Sequence, residues 1–250
     1  MLIEDFHGSM QICEDGPKPF YGRRLWIMKI SIARFFWIFF PVLLAAQDAP
    51  KPRTAQEIQK MHQDPEAYIA MLENPQRDAE QKPAEVIAAL KIREGETLAD
   101  IGAGSGYFSF RFAPKVGSSG RIYAVDVNPD MILYMNRRIR DLGLKNVVTI
   151  LSASDDPLLM DASVDRFFIC NTWHHIQNNT QYLGLMKKML KRGGQIIIVD
   201  YHKKELPVGP PPEMKLARED VVQQMESNGL KLAQEYTFLP YQYFLVFSQR

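Results

Sequence analysis

Cysteine is nearly absent. The 250 residues contain two, Cys13 and Cys170, too few for a disulfide framework or a cysteine-built metal site. An excess of charge of one sign is absent as well: 30 basic residues face 29 acidic ones, for a formal net charge of +1. They are spread along the chain, so there is no electrostatic footprint for a polyanion, and nucleic acid is not an expected partner. The apolar run Phe35 to Ala46, at about 12 residues, falls short of the roughly 20 that a helix needs to cross a bilayer. No internal repeat is visible.

What is present begins with that run. Arg23, Arg24, Lys29 and Arg34 precede it, Pro41 lies inside it, and small residues close it before Gln47, which is the layout of a secretory signal peptide. Met28 opens MKISIARFFWIFFPVLLAAQ, a leader complete in itself, so residues 1–27 read as an extension from a start assigned too early. Residues 1–47 are thus expected to be a leader cut near Ala46, with membrane association through residues 25–46 while it is attached. A buried N-terminal helix is the alternative, but the aromatic cluster shows no polar face at helical period.

Residues 48–57, DAPKPRTAQE, read as a Pro-rich charged linker. Short helices broken at Pro65 and Pro75 follow, so residues 48–82 form a linker and helical cover. Pro83 opens a helix with Val86, Ile87 and Leu90 on its apolar face. The folded domain is expected over residues 83–250, a length that buries one substantial core.

From Thr97 onward, apolar runs alternate with helical patterns: TLADI, RIYAVDV, VVTIL, VDRFFICN and QIIIVDY. This alternation predicts an α/β fold, a doubly wound parallel sheet covered by helices on both faces. Asn128-Pro129 and Gly143 bound one helix, and Arg192-Gly193-Gly194 end another. After the Pro-rich connection HKKELPVGPPPEMK and a helix ending at Gly229, LKLAQEYTFL and YQYFLVFSQ are joined with no room for a helix, so they must pair antiparallel.

The chemistry-bearing motif is Asp100-Ile101-Gly102-Ala103-Gly104-Ser105-Gly106, ending the first strand and opening a helix. Glycine tolerates positive φ and lets the backbone approach a ligand, while helix N-terminal amides can hold an anionic group. Asp100 can anchor the loop amides or receive an ammonium group. Asp126 ends the second strand, where dinucleotide sites place an acid on ribose hydroxyls. The spacing is not the G-x-G-x-x-G of a dinucleotide fold, and no Walker lysine follows.

The pattern D-x-G-x-G-x-G followed by AVDVNPDM resembles the S-adenosylmethionine-binding core of class I methyltransferases, over residues 96–200 and onward through the closing helix and hairpin. The resemblance implies a mostly parallel seven-stranded sheet with a C-terminal antiparallel hairpin, and S-adenosylmethionine as cofactor. It places Gly102, Gly104 and Gly106 against the methionine portion, Asp126 on the ribose, and Val127 or Asn128 beside the adenine. The family's adenine-contacting Asp after the third strand aligns with Ala153, which leaves Asp155 or Asp156 as substitutes.

Beyond the fourth strand, His174 and His175 lie at the carboxyl edge where doubly wound sheets bind ligands. They read as proton acceptors or substrate-positioning groups, His175 first, or as helix-capping histidines; the adjacent pair alone makes no metal site. Tyr201 and His202 after the fifth strand, and Arg77 and Gln81 in the cover, are candidate substrate contacts. The expected reaction is methyl transfer to a small molecule, with a protein side chain second, at an O, N, S or C atom. A cofactor-binding module without transfer and a nucleotide-dependent oxidoreductase are the alternatives. The leader argues for export, while cofactor supply argues for the cytoplasm.

Overall fold

The computed structural model describes residues 54–249. The expected leader, residues 1–47, lies outside the described residues.

Seven strands form one sheet in the order β3-β2-β1-β4-β5-β7-β6. They are β1 (Thr97–Ile101), β2 (Arg121–Asp126), β3 (Val147–Leu151), β4 (Val164–Cys170), β5 (Leu190–Tyr201), β6 (Leu230–Tyr236) and β7 (Gln242–Gln249). Strands β1 to β5 pair in parallel, and β7 runs antiparallel to both β5 and β6. The reversal is thus confined to β7, inserted between its two neighbours. The chain winds outward from β1 through β2 to β3, then returns to β4 on the other side. The carboxyl ends of β1 and β4 therefore flank the crevice where such sheets bind ligands.

The central strands are apolar on both faces because both faces are covered. On β4 and β5, Phe167, Ile169, Ile196 and Ile198 enter one core with Leu183 and Met186 of α7 (Asn179–Met189) and Val221 and Met225 of α8 (Arg218–Ser227). Phe168, Ile197 and Val199 point the other way. They meet Val86, Ile87 and Leu90 of α4 (Pro83–Leu90), Phe112 of α5 (Ser109–Val116) and Met135 of α6 (Pro129–Asp141). The alternation follows the two-residue period of a strand.

The cover contains α1 (Ala55–His62), α2 (Pro65–Leu72) and α3 (Arg77–Gln81). Helix takes in the last three residues of the expected linker, because Thr54 and Glu57 form a reciprocal capping box. Asp64 caps α2, accepting from the Ala67 amide at 3.1 Å, and Pro65 takes its first position.

A second correction concerns Arg192-Gly193-Gly194. α7 ends at Met189, and the glycines lie inside β5, where the register shifts between Leu190 and Gln195 opposite Val164 and Arg166. Gly193, at φ +79°, supplies the left-handed residue there.

Candidate cofactor and active site

The turn after β1 is built on left-handed backbone: Gly102, Gly104 and Gly106 have φ of +70°, +56° and +82°. The amides of Gly102 and Ala103 donate to the Val125 carbonyl at 2.8 and 3.0 Å, tying the turn to β2. Gly104 N–H donates to Asp126 Oδ2 at 2.7 Å, and Asn128 N–H to Oδ1 at 2.9 Å. Asp126 therefore anchors the loop, the part the sequence offered to Asp100.

Asp100 faces the crevice, almost wholly buried, and accepts from the Ser109 hydroxyl at 2.6 Å in the first turn of α5. Burial pushes its carboxyl up to about 7, with the charge of Asp126 adding to the rise and the Ser109 bond opposing it.

A cavity of about 270 Å³ opens above the turn. Asp100 and residues 102–105 form one side, and residues 170–172, His174, His175 and Tyr201 form the side beyond β4 and β5. Tyr68, Met71 and Leu72 of α2 cover it, as do Pro207, Val208, Gly209 and Pro210 of the connection after β5. That connection lies on the Tyr201 ring: a Cβ added at Gly209, φ +82°, would stand 2.8 Å from ring atoms.

His174 lies in a short 3₁₀ turn, Trp173–His175, after β4. Its Nδ1 stands 2.8 Å from Asp200 Oδ2 and 3.0 Å from Oδ1, with both side chains buried. Asp200, near the end of β5, is a functional candidate that the sequence reading missed. Its strand-end position was the available signal. His175 also lines the cavity, with its ring 4.2 Å from that of His174.

The other candidates divide. Arg77 lines the cavity beside the turn, its guanidinium 4.4 Å from the Tyr107 ring centroid and donating to the Leu72 carbonyl. Tyr201 lines it too, and burial pushes its phenol well above the usual range. Gln81 does not line the cavity. It is buried behind the wall, where Oε1 accepts from Gln242 Nε2 at 3.2 Å and Cys170 Sγ at 3.4 Å, bracing α3 against β4 and β7. His202 also lies outside, edge-on to Tyr243.

On the nucleoside side, Asn128 caps α6 through its side chain, accepting from the Asp130 amide at 2.8 Å. Val127 is exposed, as is Asp155, and neither lines the cavity. Asp156 caps a turn, accepting from the Leu158 amide at 2.8 Å.

These residues fit S-adenosylmethionine. At Gly104 a Cβ would stand 3.0 Å from Leu72 Cδ1, so the turn passes beneath α2 only as bare backbone. Ser105 Oγ is buried without a hydrogen-bond partner in a residue lining the cavity, and Asp100 and Arg77 offer an anion and a cation to an amino acid's two charged ends. Among the described residues no group of three or more His, Cys, Asp or Glu side chains could hold a metal ion, and no helix is long and apolar enough to cross a membrane.

Comparison with known proteins agrees. The chain resembles the ubiquinone/menaquinone biosynthesis C-methyltransferase UbiE of Klebsiella pneumoniae, at 26% identity over 113 residues. That is 45% of each protein, so the chain spans about half the length of the curated relatives it matches. The structure is similar to a SAM-dependent methyltransferase from Aquifex aeolicus, with TM-score 0.71 and 29% identity, over 75% of this chain and 99% of the other. It shares its fold with magnesium protoporphyrin IX methyltransferase from Synechocystis PCC 6803, solved with bound SAH, at TM-score 0.58 and 13% identity over 78% of this chain and 97% of that one. A family model described as a methyltransferase domain matches residues 92–238, more than half of the sequence. The chain belongs to this methyltransferase-domain family, and its cofactor is S-adenosylmethionine.

Proposed function

We propose that the protein transfers a methyl group to a small, largely apolar acceptor whose nucleophilic oxygen or carbon must first lose a proton, and that His174 takes this proton. The observation that carries the reading is the buried His174–Asp200 pair, at 2.8 Å. An ionised carboxylate only accepts hydrogen bonds, so the imidazole proton sits on Nδ1 and the Nε2 lone pair is the basic one. Amines and thiolates attack unaided, so an oriented base favours a hydroxyl or an enolisable carbon. Met71, Leu72, Pro207, Val208 and Met214 give the cavity its apolar walls. The UbiE relatives are named C-methyltransferases of ubiquinone/menaquinone biosynthesis, which supports carbon as one of the two acceptor atoms.

When bound, S-adenosylmethionine supplies an electrophilic methyl group. Asp100 would receive its ammonium group, Arg77 and the amides of the turn its carboxylate, and Asp126 its ribose hydroxyls. Arg77 thus moves from the acceptor half, where the sequence offered it, to the cofactor half. His175 and Tyr201 would contact the acceptor. Water exclusion falls to α2 and the Pro207–Pro210 connection.

The test is label transfer from methyl-labelled cofactor to a panel of small phenols, enols, thiols and amines. Labelling of phenols or enols, lost in His174→Ala, is the expected result. Transfer confined to amines or thiols and indifferent to His174 overturns the reading.

A further inference from the structure

Between β5 and α8 the chain makes one excursion, residues 202–217, broken by a 3₁₀ turn at Pro212–Met214. Its tip carries proline at 207, 210, 211 and 212, and a locked φ at these positions makes the segment stiff. Gly209, at φ +82°, is the exception, and it is the residue that rests on the Tyr201 ring. Val208, Gly209, Pro210 and Met214 line the cavity beside that ring.

Lys215 closes the base of the excursion. Its Nζ reaches back to donate to the Lys204 carbonyl at 2.8 Å, and the residue is only 2% exposed. The same ammonium stands 5.8 Å from the centroid of the Tyr201 ring. Tip and base of the excursion therefore meet at one side chain of the cavity wall.

A lysine so placed is unusual, because buried ammonium groups are ordinarily paired with an acid. Among the described residues no carboxylate lies within ion-pair distance of this one. Glu205, Asp200 and Glu213 act on it from farther off, and burial pulls the ammonium below its usual range. What it has at close range is a charge-assisted bond to a backbone carbonyl eleven residues away.

We propose that Lys215 is the positioning residue of the acceptor pocket: by clasping the Lys204 carbonyl it holds the stiff Pro207–Pro212 segment at a fixed distance from Tyr201, and this wall selects acceptors by bulk. The proposal rests on the reading of the Tyr201 side of the cavity as the acceptor half. Asp100 and the glycine turn form the other side, so the clasp bears on the acceptor and not on the cofactor. Without it the wall is free to stand away from Tyr201, which loosens the hold on small acceptors and admits bulkier ones.

The test uses the full chain, S-adenosylhomocysteine, trypsin, and the acceptor panel supplemented with tert-butyl homologues. Lys215→Met keeps the stem and removes the donor. It should leave S-adenosylhomocysteine affinity and the saturating transfer rate unchanged, and raise the KM of the smallest accepted compound about five- to twentyfold. The preference for that compound over its tert-butyl homologue should narrow. Tryptic cleavage after Lys204, at the carbonyl thus released, should quicken. Lys215→Arg, which can still donate, should restore part of both effects. Unchanged KM and cleavage, or an equal loss on every acceptor, overturns the proposal, the second result marking Lys215 as structural only. Should Lys215→Met fail to fold, Gly209→Ala is read by the same preference, since its Cβ would stand 2.8 Å from the Tyr201 ring and lift the wall with the clasp intact. Any accepted compound serves, so a failure of the His174 assignment shows in which atoms are methylated and leaves this preference measurable. If no compound is accepted, the cleavage rate decides alone.

Discussion

His174 and Asp200 join the turn after β4 to the penultimate residue of β5, Nδ1 to Oδ2 at 2.8 Å, with the imidazole 3% and the carboxylate 1% exposed. Asp200 Oδ1 also accepts from the Tyr201 amide at 2.8 Å, so the carboxylate is fixed before it fixes the imidazole. A base held this way should be worth about 10²- to 10⁴-fold in rate. His174→Ala is expected to lose that much in single-turnover transfer, and Asp200→Asn roughly 10- to 100-fold through the lost orientation. S-adenosylhomocysteine affinity should change little in either. His175→Ala, which leaves the His174–Asp200 pair in place, should cost less than His174→Ala. The reverse ranking would return the role to His175.

Gly102 permits a second test. At φ +70° it adopts a conformation that costs an L-residue about 1–2 kcal/mol, and a Cβ there would fall within the Thr172 side chain. Gly102→Ala should therefore lower unfolding free energy by at least about 1 kcal/mol and weaken cofactor binding. Adding Thr172→Ala removes the collision but not the backbone cost. The double variant should recover part of the loss in denaturant titration, and no recovery would mean that Thr172 yields freely.

The contrast between these sites shows what sequence can carry. The glycine turn and the strand pattern are local, encoded in spacing and period, and they are legible; Asp126 is legible only as the acid that ends β2. The His174–Asp200 pair is not local: its members lie 26 residues apart and meet only because β4 and β5 are neighbours. Two adjacent histidines look alike until that pairing selects one. Gly193 is ambiguous in the sequence because a helix end and an irregular stretch of strand both call for a left-handed residue, and the sequence leaves Asp100 open to anchoring the loop amides or receiving an ammonium group because the partner of Gly104 comes from another strand.

Gln81 illustrates the same limit and supplies a third prediction. It lies one helical turn from Arg77, which suggests a shared substrate face, yet it is 1% exposed in contact with Gln242 and Cys170. Removing its amide strands buried donors, at about 1–3 kcal/mol. Gln81→Ala should lower stability by this amount in denaturant titration. A variant of unchanged stability and raised acceptor KM would identify Gln81 as a substrate contact after all.

Asp100 gives the last prediction, a pH dependence with two separable parts. Its carboxyl titrates near 7 in the folded protein, against 3.8 ordinarily, chiefly because burial penalises the charged form. Between these values the native state binds more protons than the unfolded chain, so this group's contribution to stability falls as pH rises from about 4 to about 7, then levels off. A separation of about three pH units is worth on the order of 4 kcal/mol. Asp100→Asn, which cannot ionise, should lack this slope, so its stability relative to the parent should improve from pH 5 to pH 8. Cofactor binding reverses the balance. An ammonium group beside the carboxylate favours ionisation, so binding below pH 7 must release a proton, and S-adenosylhomocysteine affinity should rise with pH toward about 7. Calorimetry at pH 6 in buffers of different ionisation enthalpy should detect release approaching one proton in the parent and none from this source in Asp100→Asn. Equal proton release in the two proteins would show that the ammonium group is held elsewhere, leaving Asp100 only the Ser109 bond that ties β1 to α5.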